Sequence, residues 1–297
     1  MNNSSIFDNV DWQKEISKEG KPDIDISDDF KPYQFRDVYK EKSEKKKFKG
    51  YTVPKEAKDP LNVLKIIPYK TNKAKIRTTP FMDSNIIPHH PSSVCVVGRS
   101  GSGKSNFVVN MLTRPEYYKG FFDLTFMFSK TIKQDDLPLY LKLPEKRCFD
   151  HFDPKIFNHI METQEKIIEE KGIHKSPKIL ILLDDCVSDK KFLTSGYIVK
   201  LFIQARHLNI STWMLSQSFT KIPRVCRLQS NSLILFGGTQ SEQEILAVEF
   251  GIPNTSKKDM MELIQTATRE PYSFLTIIMR APLDKRYRKN LDEYLTI

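Results

Sequence analysis

No run of apolar residues in this 297-residue chain approaches the ~20 needed to cross a bilayer. The opening stretch "MNNSSIFDNVDWQKE" has neither the basic start nor the apolar middle of a signal peptide. These two absences set the expectation of a soluble, intracellular protein with no membrane partner. Cysteine is scarce: Cys95, Cys148, Cys186 and Cys226 are the four present, none at C-x-x-C spacing. That argues against a disulfide framework or a zinc site and for small buried hydrophobes in a reducing compartment. His89 and His90 have no cysteine or carboxylate at ligand spacing, which argues against a metal role for them. There are no internal repeats, and the one compositional extreme is a lysine cluster.

What is present is enough apolar residue, 39%, to build a substantial core, and a formal charge of +10 that is unevenly spread. Residues 36–75 hold 13 lysines and arginines against 5 acids, whereas residues 1–35 hold 4 lysines against 8 acids. The basic stretch suits a polyanion such as nucleic acid, and it equally suits a solvated, disordered arm; the two are compatible. Residues 1–78 read as a charged N-terminal extension with one short strand in "VLKIIPYK", and 79–297 as the compact domain.

Within that domain, apolar strand-like runs alternate with helical periodicity. Strands are expected at 93–97, 121–129, 178–185, 210–218, 231–238 and 271–279. Helices are expected at 106–112, 157–171, 189–207 and 239–250. Strands apolar on both faces and separated by helices imply a mostly parallel, doubly wound α/β sheet.

The segment "VCVVGRSGSGKSNFVVNML", residues 94–112, fits G-x-x-x-x-G-K-[ST] in full over Gly98, Arg99, Ser100, Gly101, Ser102, Gly103, Lys104 and Ser105. It lies between a buried strand and a helix, as a P-loop requires. Glycines let the backbone close on phosphate oxygens with its N–H groups pointing inward, and the helix N-terminus adds partial positive charge. Lys104 is placed for the β- and γ-phosphates and Ser105 for Mg²⁺. A nucleotide hydrolase also needs a carboxylate on a neighbouring strand. "ILILLDD" provides Asp184 for the metal and Asp185 to orient or deprotonate water. A whole strand, 121–129, separates the P-loop from this pair, a feature of ATPases, and no N-K-x-D guanine signature follows. Gln217 ends the strand "WMLSQS" where ligands bind in parallel sheets; it reads as a γ-phosphate sensor or as a simple strand-end residue.

"LLDD", "QARHLNIS" and "LSQSF" together resemble the FtsK–HerA superfamily of DNA-pumping P-loop ATPases, and within it the poxvirus-type genome-packaging ATPases, over about residues 80–280. The resemblance implies a RecA/FtsK–HerA-like core, ATP and Mg²⁺ as cofactors, and a homo-oligomeric ring, a hexamer. It also implies translocation of double-stranded DNA into a capsid, in the host cytoplasm or a virus factory or on the virion. Residue by residue, it assigns Walker A to Lys104 and Ser105, the metal carboxylate to Asp184 and the strand-end glutamine to Gln217. Asp185 stands where cellular relatives usually carry glutamate, one methylene shorter. Arg206 becomes a trans-acting finger, with Arg224 and Arg227 as rivals. Other nucleic-acid motors such as helicases, and a non-hydrolysing ATP-binding scaffold, are the alternatives.

Overall fold

In the computed structural model, which describes residues 78–83, 85–186, 192 and 196–296, all five residues of Ser93–Val97 (β1) are buried. They form the middle of a nine-stranded sheet. All described residues fall in one compact unit of the chain. The expected extension, apart from its last residue, and the expected strand in "VLKIIPYK" lie outside the described residues.

The chain leaves β1 through the glycine loop into Lys104–Thr113 (α1) and returns as Leu124–Ser129 (β2). It continues through Cys148–Phe149 (β3), Pro154–Lys171 (α2), Ile179–Asp184 (β4), Gly196–Ile203 (α3) and Ile210–Ser216 (β5). After Arg224–Gln229 (α4) and Ser232–Leu235 (β6) come two helices, Gln240–Phe250 (α5) and Lys257–Ala267 (α6). Leu275–Ile278 (β7), Tyr287–Lys289 (β8) and Glu293–Tyr294 (β9) complete the sheet. The order is β3-β2-β4-β5-β1-β6-β7-β8-β9.

Burial on both faces explains the unbroken apolar strands. Along β4, Ile179, Ile181 and Leu183 enter one core cluster while Leu180 and Leu182 enter another. Along β1, Cys95 and Val97 face the first cluster and Val94 and Val96 the second. This period-2 division is what a strand between two helical layers requires. α2, α3, α5 and α6 cover the first face, and Phe107, Val108 and Met111 of α1 cover the second. α2 starts at an Asp153 cap, whose carboxylate accepts from the Lys155 N–H at 2.7 Å, with Pro154 at the first helical position.

The strands from β3 to β6 run parallel, as the expected mostly parallel sheet requires. The last expected strand does not: β7 pairs antiparallel with β6, and β8 and β9 extend an antiparallel ribbon. The cause is a helix the sequence reading omitted. One helix after β6 would carry the chain back to the N-terminal edge for another parallel strand. α5 and α6 pack as a pair and return it to the C-terminal edge instead. The helix expected over 189–207 also differs. α3 ends at Ile203, and Arg206 lies in a separate 3₁₀ turn, Ala205–Leu208, closed by Asn209 in the left-handed region.

Cys95, Cys186 and Cys226 are buried and Cys148 is half-buried, and none of the four is in a disulfide. Burial pushes the Cys95 thiol up to about 12, in line with a hydrophobe's role. Both ring nitrogens of buried His90 are engaged, Nδ1 with Ser211 Oγ at 2.7 Å and Nε2 with Asn209 Oδ1 at 2.9 Å. The ring pins the segment before β1 to the start of β5.

Candidate nucleotide site

Gly98 follows β1 directly, and its N–H bonds the Ser216 carbonyl at the end of β5, at 3.0 Å. A Cβ at Gly98 would lie 2.5 Å from Ser102 Oγ and 2.7 Å from Phe236 Cβ, so no side chain fits. Gly103 caps α1 with φ +109, a backbone state that L-residues rarely enter. The loop is thereby closed into a cradle at the N-terminus of a ten-residue helix, with Lys104 and Ser105 in its first turn. Arg99, Ser100, Gly101 and Ser105 are exposed along it. Lys104 Nζ donates to the carbonyls of Gly98 and Arg99, at 2.6 and 3.0 Å, folding back over the loop. Burial lowers its pKa, and the charges of Asp184 and Asp185 oppose that fall.

Asp184 is the last residue of β4, buried, and in register with Ser129 of β2 and Leu215 of β5. Asp185 follows at φ +50, and its N–H bonds the Leu215 carbonyl at 3.2 Å. The left-handed turn breaks the strand's alternation, and both carboxylates act on Lys104. Gln217, immediately after β5, donates from Nε2 to Asp185 Oδ2 at 2.9 Å. The structure thus brings Lys104, Asp184, Asp185 and Gln217 to one edge of the sheet.

Sequence reasoning missed three contributors to this edge. The Asp184 carboxyl is pushed up to about 6, first by burial, then by the charges of Asp135 and Asp185; Lys104 and the Ser129 hydroxyl work against the rise. Asp135, in the loop after β2, carried no local signal. Ser129 donates to Asp184 Oδ2 at 3.4 Å. Glu242 Oε1 accepts from Ser218 Oγ at 2.6 Å and from the Phe219 N–H at 2.9 Å, while Oε2 accepts from the Thr239 N–H at 3.0 Å. Burial would raise the Glu242 pKa, but these bonds outweigh it and hold the carboxyl below its usual range. The clamp ties the segment after Gln217 to the start of α5, and the T-x-x-E spacing of Thr239 and Glu242 is a legible capping box.

The donor set fits the expected Mg²⁺: oxygen ligands from Ser105 and Asp184 are the kind this cation takes. The cradle fits phosphate.

The three arginines separate. Arg227, in α4, is buried and bidentate to Glu249, with Nη2 2.7 Å from Oε1 and Nε 2.9 Å from Oε2. Its Nη1 also donates to the carbonyls of Phe219 and Ile222. It is a structural residue and no free finger. Arg224 donates to the same Glu249 at 3.1 Å from an exposed position. Arg206 is exposed, just before β5, at the sheet edge opposite the cradle. The seven residues of β5 put about 20 Å between those edges, so Arg206 does not reach its own P-loop.

The chain is 27% identical over 149 residues to uncharacterized protein 075L of Invertebrate iridescent virus 6, covering 50% of this chain and 55% of that protein. It is 23% identical over 145 residues to uncharacterized protein 015R of Frog virus 3 (isolate Goorha), covering 49% and 44%. It spans about half the length of these curated relatives. The genome packaging NTPase B204 from Sulfolobus turreted icosahedral virus 2, solved in complex with AMP, superimposes with a TM-score of 0.50 at 12% identity, over 68% of this chain and 98% of that one, which is a likeness of fold. The family model for the poxvirus A32 protein matches residues 80–283, a span that takes in every strand bearing a site residue, and by that match the chain belongs to the poxvirus A32 protein family.

Proposed function

We propose that the chain is an ATP-hydrolysing motor subunit that translocates double-stranded DNA during viral genome packaging. The observation that carries the reading is the shared edge: the Gly98–Ser105 cradle, Lys104, Asp184 and the Gln217–Asp185 pair converge there. A triphosphate in the cradle offers Lys104 better acceptors than the two loop carbonyls it now holds. The moved ammonium then balances charge developing on the transferred phosphoryl group. Asp185, held by Gln217, orients the attacking water or accepts its proton. Ser105 and Asp184 would hold Mg²⁺, which when bound neutralises phosphate charge.

The DNA half of the reading is supported by family membership and by the basic excess in residues 36–75. Among the described residues no helix is long and apolar enough to cross a membrane. The homo-oligomeric ring, six subunits, docking on a capsid component, and a site of action in the host cytoplasm or virus factory complete the proposal. A steady-state ATPase assay with and without double-stranded DNA tests it. Turnover that rises with DNA and vanishes in Lys104→Ala is expected. Tight ATP binding without turnover would point to an assembly scaffold instead.

A further inference from the structure

The antiparallel setting of β7 has a consequence for the nucleotide. Leu275, at the start of β7, pairs with Leu235 at the end of β6, and Phe236 N–H bonds the Val97 carbonyl at 2.8 Å. The loop that precedes β7 therefore lies at the cradle's edge of the sheet. Its tip is Tyr272, whose Cδ1 would lie 3.4 Å from a Cβ placed on Gly103. The residue is 70% exposed, and its backbone is left-handed at φ +64, an outlier for a bulky residue. The turn is held beneath it, with the Ser273 N–H and Oγ both donating to the Glu270 carbonyl, at 3.1 and 2.7 Å. Packing does not account for it. Phe107, Phe236 and Phe274 already pack together under the loop, with ring centroids 4.9 to 6.2 Å apart.

The site has two sides about β1. The acids that face the reacting phosphate, Asp184 and Asp185, lie at the end of β4, and Gln217 follows β5, so all three are on one side. Phe236 and Tyr272 lie on the other side, after β6 and before β7. A triphosphate laid along the cradle with its terminal phosphate toward Asp184 and Asp185 directs ribose and base toward the second side. We propose that Tyr272 is the stacking platform for the purine base of the bound nucleotide, set beside the phosphate cradle by the strained turn. This rests on the ATP-binding reading above and adds the residue that grips the base. Stacking uses the π-face common to all bases, so it contributes affinity without reading hydrogen-bonding edges.

Calorimetric titration of the full chain with ATP and with inorganic tripolyphosphate tests it. Tyr272→Ala should weaken ATP about tenfold and leave tripolyphosphate unchanged, while Tyr272→Phe keeps ATP within about twofold. Tyr272→Gly should lose ATP affinity as Ala does but melt no lower than the parent, because glycine relaxes the left-handed turn. Unchanged ATP affinity in Tyr272→Ala overturns the proposal. So does an equal loss for ATP and tripolyphosphate, which would mean that the turn only shapes the loop. If the parent chain binds no tripolyphosphate, the P-loop reading itself fails and this inference falls with it.

Discussion

The amide of Gln217 donates to Oδ2 of Asp185 at 2.9 Å, across the ends of two neighbouring strands, β5 and β4. The bond holds a carboxylate one methylene shorter than glutamate, and we propose that this positioning is the glutamine's role rather than merely marking a strand end. Gln217→Ala should therefore lower kcat about 10- to 100-fold with little change in KM, since the oriented base matters in the transition state. Asp185→Asn should lower kcat further and keep ATP binding. In the double variant the losses should fall well short of multiplying, because both act through one group. Fully multiplicative losses in a mutant cycle would show that the two residues work separately.

Gly98 offers a steric test of the cradle. An added methyl meets Ser102 Oγ at 2.5 Å, which can swing about χ1, and Phe236 Cβ at 2.7 Å, which is fixed to its backbone and cannot. Gly98→Ala should cost about 1–3 kcal/mol in a denaturant titration and weaken ATP binding as the loop opens. Parent-like stability and affinity together would show that the loop has slack.

How much of this was legible in the sequence follows from range. The P-loop is one contiguous string, so Gly98 to Ser105 and the flanking β1 and α1 could be read directly. Asp184, Asp185 and Gln217 were legible because each ends an apolar strand, and strand ends of a parallel sheet share an edge. The direction of β7 was not legible: the short run Leu-Thr-Ile-Ile reads alike in either orientation, and only the α5–α6 pair reverses it. Asp135 and Tyr272 sit in loops, where proximity to the site depends on the folded path. Arg227 looked like a rival finger because its partner Glu249 lies 22 residues away, on α5.

His90 makes an acid-sensitive pin. Burial is the largest influence on it and lowers its pKa from 6.5 to about 4, despite the bond to Asn209. The folded value lies below the unfolded one. Its contribution is thus complete above pH 6.5 and lost as pH falls toward 4, by about 2–3 kcal/mol at pH 4.5. Asp184, raised to about 6, acts with the opposite sign in the same range. The difference between the parent and His90→Gln isolates the histidine. Urea titrations at about pH 7.5 and 4.5 should show the parent losing more stability than the variant. Parallel losses would place the acid sensitivity elsewhere.

We propose that Arg206, at the start of β5, serves a neighbouring subunit. Arg227 is excluded by its buried pairing: Arg227→Ala should cost about 3–5 kcal/mol by leaving Glu249 buried and half-paired, a stability effect before any catalytic one. Arg206 is exposed, its Nε donates to Nε2 of His207 next in the chain at 3.4 Å, and it stands at the edge opposite its own cradle. A finger so placed acts only on another copy. Arg206→Ala should keep the parent's melting temperature and ATP affinity, yet hydrolyse ATP at least about 100-fold more slowly. Mixed with Lys104→Ala, it should regain turnover wherever an intact arginine faces an intact P-loop, provided sedimentation shows that both variants assemble. A surface arginine with no such role would change stability by less than about 0.5 kcal/mol, leave turnover alone and be rescued by nothing. If Arg206→Ala is silent while Arg224→Ala stops hydrolysis without unfolding the chain, the finger belongs to α4, where Arg224 is exposed and shares Glu249 with a partner that already satisfies it.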